Sequence, residues 1–226
     1  GATGQPQTVV AAGDTVGVTG VLDYFGSTRR VFTIIPDAAP TVTNNRTAFT
    51  PVPTPTSGEL TIASANVERF FDKVNDPAIG DPVLTATAFN NRLNKASLMV
   101  RNVMMTPDVI GFQEVENLST LQALATKINN DAVAASQPDP GYQAFLVEGN
   151  DVGGIDVGFL VKNTISITSV TQFGLTDTYI NPNNGQPETL NDRPPLVLVG
   201  SKGGYAFTVI VNHLRSLNGI DDETAD

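Results

Sequence analysis

The sequence predicts an α/β sandwich, and three observations carry that expectation. From Leu60 to Ile128 apolar runs and helical periodicity follow one another in the order β-α-β-α. Beyond Pro140 the chain turns strand-rich. With 226 residues and 40% hydrophobic side chains, it can bury the core of one or two domains.

Val9 to Ile35 alternates apolar residues with small or polar ones and is punctuated by Gly, which predicts one or two β-hairpins. Pro36 to Ser57 carries Pro40, Pro51, Pro53 and Pro55 among Thr and Asn. That composition breaks helices and favours extended backbone, so a linker or a surface-hugging arm is expected. The chain therefore divides into a β-rich segment over 1–35, a Pro/Thr-rich linker over 36–57 and a main domain over 58–226.

In the main domain, Leu60 to Asn66 reads as a strand. After the Gly and Pro of 79–82, Leu93, Ala96, Val100 and Val103 recur at helical spacing and predict a helix with one buried stripe. Thr106-Pro107-Asp108 breaks it, because the residue before proline disfavours helical backbone. Val109 to Phe112 is a short apolar strand, and Leu118, Leu121, Leu124 and Ile128 mark a second helix. Further strands are predicted over 143–147, 155–161, 165–173, 196–199 and 205–211.

The 13 Lys and Arg against 23 Asp and Glu leave a net charge of -10, which argues against gripping phosphate backbones by counterion release alone. Carboxylates do serve hard divalent cations, so a metal placed between an acidic protein and a phosphate stays open. The absence of Cys removes disulfides, thiolate metal sites and a Cys nucleophile. No apolar run approaches the roughly 20 residues of a membrane span, and no internal repeat supports a solenoid.

Asn66 and Glu68 fall where the first main-domain strand ends, and Glu114 falls just after the Val109 to Phe112 run. Parallel strands bring such positions to one sheet edge, where α/β folds place their sites. A carboxylate and an amide converging there suit an oxygen-ligated Mg2+. Glu114 would hold the metal, Asn66 would orient that carboxylate or a phosphate, and Glu68 would complete the shell. Acidic residues and Asn also favour helix N-termini, and Glu116 and Asn117 are expected to cap the helix near Leu118.

His213 is the single histidine and ends the apolar strand from Phe207 to Asn212. A lone histidine is usually structural, yet Asn212, His213 and Arg215 together offer donors suited to a phosphate or a developing phosphorane. Arg193, stiffened by Pro194 and Pro195, is placed to hold a guanidinium against phosphate, or else to pair on the surface with Asp192. Gly153 to Phe159 is Gly-rich, but no Lys-Ser/Thr follows, which argues against a nucleotide phosphate loop. Asp156 is expected to support a neighbouring His or Arg.

Taken together, Ile62-Ala-Ser-Ala-Asn66-Val-Glu68, Asp108-Val-Ile-Gly-Phe-Gln113-Glu114-Val-Glu-Asn117, Arg193-Pro-Pro-Leu196 and Val209-Ile-Val-Asn212-His213 resemble, in the same order, the endonuclease/exonuclease/phosphatase superfamily. The wording is most similar to that of bacterial extracellular or cell-surface nucleases. The resemblance implies a four-layer α/β sandwich of the deoxyribonuclease-like kind. It implies Mg2+ or Mn2+ at Glu114, with Ca2+ as a further possibility, Asn66 and Glu68 beside it, His213 and Arg193 addressing the scissile phosphate, and Asp156 behind them.

The same resemblance makes Ala12 to Leu22 similar to the later part of an oligonucleotide-binding fold. It further implies a Gly-Asp-x-Asn segment and an Asp-His pair after His213, neither of which lies before Asp226. A domain incomplete at its C-terminus, inactive alone and completed by the rest of a parent protein, is therefore expected. The function implied is metal-dependent hydrolysis of phosphodiester bonds in nucleic acid, outside a bacterial cell. A phospholipid or inositol-phosphate phosphodiesterase, or a noncatalytic surface or assembly module on the same scaffold, are the alternatives.

Overall fold

The computed structural model describes residues 10, 13–25, 31–45, 50–56, 58–77 and 79–214. The chain divides into two compact units, Gly1–Thr50 and Pro51–Asp226. In the first, β1 (Thr15–Gly17), β2 (Gly20–Phe25), β3 (Val31–Pro36) and β4 (Thr41–Thr43) form two antiparallel pairs, β1 with β4 and β2 with β3. The expected hairpin is β2–β3. The segment read as a linker contains β4, and the unit's contacts continue past residue 35 to Thr50.

The second unit is built on a four-stranded sheet in the order β5 (Ile62–Phe70), β6 (Val109–Val115), β8 (Asp156–Val161), β7 (Gln143–Leu146). β5 and β6 are parallel, and β8 runs antiparallel to both β6 and β7. The connection between the parallel strands carries α1 (Ala86–Asn102), and α2 (Leu118–Ala134) follows β6. Thr85 caps α1 by accepting the Ala88 N–H at 3.2 Å, and Asn117 caps α2 by accepting the Thr120 N–H at 2.8 Å. Glu116 is no cap: it is 2% exposed, and its carboxylate accepts the Asp72 N–H at 2.6 Å.

Two cores sandwich the sheet. On one face Ile110, Phe112 and Leu160 pack with Leu93 and Val100 of α1 and Leu121, Leu124 and Ile128 of α2. On the other, Val109, Val157, Phe159 and Val161 meet Leu196, Leu198 and Val211 of a three-stranded antiparallel sheet. That sheet has the order β13 (Tyr205–Val211), β12 (Leu196–Lys202), β9 (Ser166–Gln172). Alternate residues of β6 and β8 thus serve opposite cores, as the two-residue repeat of a strand requires. Glycine allows the closest approaches: a methyl at Gly158 would lie 2.6 Å from Leu121 Cδ2, and one at Gly111 3.0 Å from Val211 Cγ2.

The described residues of this unit therefore form three layers, helices, sheet and sheet, where the resemblance implied four. One element had no counterpart in the sequence reading, the small hairpin of β10 (Thr178–Ile180) and β11 (Pro187–Thr189). Among the described residues no helix is long and apolar enough to cross a membrane.

Candidate active site

The parallel register of β5 and β6 runs evenly to Asn66 opposite Gln113 and resumes at Phe70 opposite Val115. Between those points three residues of β5 oppose one of β6, a bulge in which Glu68, Arg69 and Glu114 take left-handed backbone (φ 53, 52 and 63°). Such backbone costs on the order of 1–3 kcal/mol per non-glycine residue and persists only where surrounding contacts enforce it. Its effect is specific. Phe112 and Val115 both enter the helix-side core, so Glu114 is the extra residue whose carboxylate is turned out of it.

The contacts that enforce the bulge are also those that define the site. Asn66 Nδ2 donates to Glu114 Oε1 at 2.7 Å, and the Arg69 N–H donates to Glu114 Oε2 at 2.8 Å. Asn66 Oδ1 accepts the Glu68 N–H at 2.8 Å, so this amide is engaged at both ends and orients the carboxylate. From α1, the Arg92 guanidinium donates to the backbone oxygens of Glu68, at 2.9 Å, and Arg69, clamping the bulge from below. Arg92 was not among the residues singled out from sequence. Its only signal there was a cation on the helix following the strand.

His213 emerges just past β13, whose Val211 packs on Gly111 of β6, and its Nε2 lies 3.5 Å from Glu114 Oε1. Burial, and then the charge of Arg193, lower the His213 pKa from 6.5, against the opposing pull of Glu114 and Asp151. The imidazole is therefore neutral at pH 7.

Arg193 pairs with Asp151 at 3.0 Å and not with Asp192; both side chains are largely buried. Asp151 holds its own loop by accepting the Gly153 N–H at 2.7 Å. Arg193, Asn212 and His213 line one cleft of about 410 Å3, with Tyr179 and Glu188 of the β10–β11 hairpin along its wall. Arg215 lies outside the described residues.

Asp156 is 5% exposed and accepts the Gly149 N–H at 2.8 Å. No hydrogen bond joins it to His213 or Arg193 among the described residues, so it supports the loop before β8 and not the group expected. Burial, and then the hydrogen-bonded Glu148 carboxyl, push its pKa up to about 8. Because the folded-state pKa exceeds the ordinary 3.8, the folded chain keeps a proton that the unfolded chain releases. Stability from this group thus falls as pH rises between about 4 and 8. Asp156→Asn is expected to remove that decline, so that its stability relative to wild type, measured by urea unfolding at pH 5 and pH 8, is more favourable at pH 8.

Metal fit rests on Glu114. Each of its oxygens accepts one hydrogen bond, which leaves lone pairs on a carboxylate whose side chain is 19% exposed. A single carboxylate with water and phosphate oxygens is a common Mg2+ arrangement. Glu68 lies exposed in the same bulge. Among the described residues no group of three Asp, Glu or His side chains converges around one point.

Asp151 adds a residue that sequence reasoning did not single out, since nothing local links it to Arg193 across 42 positions. Asp151→Asn is expected to lower turnover by about tenfold, the lower end for removing a group that orients another site residue. A purely structural role would change the melting temperature without that kinetic loss.

No curated protein matches this chain. Among solved structures, TDP2 from Caenorhabditis elegans is 18% identical, with a TM-score of 0.36 over 58% of this chain and 32% of that one. An endonuclease/exonuclease/phosphatase family protein from Bacteroides thetaiotaomicron is 16% identical, with a TM-score of 0.37 over 67% of this chain and 49% of that one. The chain thus spans about a third to a half of the length of these structures. The family model described as "Endonuclease/Exonuclease/phosphatase family" matches residues 61–225, the greater part of the chain and all four motifs. This protein belongs to the endonuclease/exonuclease/phosphatase family.

Proposed function

We propose that this protein is a metal-dependent phosphodiester hydrolase acting on nucleic acid, in a bacterial protein that works outside the cell. The observation that carries the reading is the convergence of Glu114, oriented by Asn66 and the Arg69 N–H, with His213 at 3.5 Å and Arg193 and Asn212 in the adjoining cleft. A carboxylate that accepts a cation beside neutral and cationic donors suits a phosphodiester, whose non-bridging oxygens gain charge as the phosphorus is attacked.

In this reading each residue has a limited task. Arg193, held by Asp151, faces a phosphate oxygen with a fixed positive charge. His213, neutral at pH 7, donates a hydrogen bond to the same group, and Asn212 adds an amide. Asn66 and the Arg69 N–H keep the Glu114 carboxylate still. A divalent cation at Glu114 would polarise the phosphoryl oxygen and offset its charge. The net charge of -10 then sets a condition, because a polyanion approaches only where Arg193 and the cation locally reverse the field.

The test is hydrolysis of plasmid DNA, RNA and a phosphodiester lipid by the full-length protein, with Mg2+ or Mn2+ and with EDTA. Cleavage of a nucleic acid that EDTA abolishes is expected. Cleavage of the lipid alone would replace the substrate class, and metal-independent cleavage would overturn the mechanism. The extracellular placement is tested by following the protein in medium and cell fractions of the producing bacterium.

A further inference from the structure

The β10–β11 hairpin takes no part in the chemistry proposed above, yet it builds a wall of the same cleft. Tyr179 and Glu188 stand directly opposite one another in its ladder, and both line the cleft. The Tyr179 hydroxyl donates to Glu188 Oε2 at 3.1 Å, and the Asn181 and Asn184 amides donate to Glu188 Oε1 at 3.0 and 2.9 Å. At the root of the hairpin the Leu190 N–H donates to the Asp177 carbonyl at 2.9 Å. The segment that follows is tied down as well: Asn191 Nδ2 donates to the Gly174 carbonyl at 3.1 Å, and the Asn150 N–H donates to the Asp192 carbonyl at 2.8 Å. A wall fixed in this way loses little freedom when a ligand enters.

The lining divides by chemistry. Arg193, Asn212 and His213 form a polar end, while Tyr179, Leu190 and Leu214 supply a ring and two aliphatic side chains. Leu190 and Leu214 are 54% and 81% exposed, so neither is there to fill a core. Among the described residues that line the cleft, Arg193 is the one Lys or Arg, and Glu188 and Asp192 bring two carboxylates. Such a lining favours one phosphate at Arg193 and repels a row of them, which is what a duplex presents.

We propose that the cleft takes an unpaired nucleotide, with its phosphate at Arg193 and its base against Tyr179, Leu190 and Leu214, so that the substrate class is single-stranded nucleic acid. This inference rests on the reading of the cleft as a phosphodiester site. In a duplex both faces of each base are covered by its neighbours, whereas an unpaired base is free to lay a face on an aromatic or aliphatic side chain. Every base has such a face, so the preference is for an unpaired strand and not for a particular sequence.

The experiment is fluorescence anisotropy of the full-length protein in EDTA at physiological salt, with cleavage of the same probes followed separately in Mg2+. The probes are a short labelled single strand, its duplex, and the same strand carrying abasic sites, which keeps the phosphates and removes the bases. The single strand is expected to bind about tenfold more tightly than the duplex or the abasic strand, within the range attributed to stacking one base. Tyr179→Ala weakens single-strand binding by about tenfold and Leu214→Ser by about threefold, and neither changes binding of the abasic strand. Leu214 is 81% exposed, so its variant keeps the fold and carries the test should Tyr179→Ala loosen the hairpin.

A duplex or an abasic strand bound as tightly as the intact single strand overturns the proposal. So does a single-strand affinity indifferent to both variants, or no binding of any probe. Cleavage in Mg2+ that favours the duplex overturns this inference and leaves the hydrolase reading standing. Single strands that are bound as expected but never cleaved sink the hydrolase reading and leave this one.

Discussion

Glu114→Gln is expected to lower metal-dependent phosphodiester cleavage by about a thousandfold or more. A cation on a phosphoryl oxygen contributes several kcal/mol to the transition state, and each 1.36 kcal/mol is a factor of ten in rate. Glutamine keeps the size of the side chain and an acceptor for the Arg69 N–H or the Asn66 amide, but removes the negative charge that holds the cation. The fold should survive, since Glu114 enters neither core. The measurement is turnover at saturating Mg2+ together with far-UV circular dichroism. Undiminished cleavage by a folded variant would move the metal away from Glu114.

His213→Ala carries the second large effect, a fall of about 10² to 10³ in turnover, the range seen when one preorganised donor to a transition-state oxyanion is removed. Its side chain is 18% exposed and lies past the end of β13, outside the regular strand pairing, so loss of folding is not the expected cause. A change confined to KM would mean that His213 binds substrate and transition state equally, and a full-rate variant would remove it from the site. The comparison with Asp151→Asn is informative, because Asp151 pairs with Arg193 whereas His213 faces Glu114.

The order of elements was legible in the sequence because its signals are local. The stripe through Leu93, Ala96 and Val100, the break at Pro107 and the apolar run of β6 each report on a few neighbouring residues. Asn66 and Glu114 could be read as neighbours because parallel strand ends in an α/β sheet share one edge, whereas His213 comes from the second sheet and was placed with them by the family resemblance; the structure brings the three together. Asn117 was equally readable as a helix cap, since capping is decided within four residues.

What those local signals left open was decided by long-range register. The bulge needs β5 and β6 side by side before Glu114 becomes a residue too many for the helix-side core, so no pattern within β6 predicts its left-handed backbone. Arg193 pairs with Asp151 and not with the adjacent Asp192 because the fold returns the loop before β8 to the start of β12. Glu116 is buried, and not a solvated cap, because the loop after β5 folds over it and offers it the Asp72 N–H. By itself, then, the sequence determined the kinds of element and which polar groups stand at their ends. Only the tertiary structure decided which way those groups point and what they touch, since orientation at a strand end depends on pairing between residues tens of positions apart.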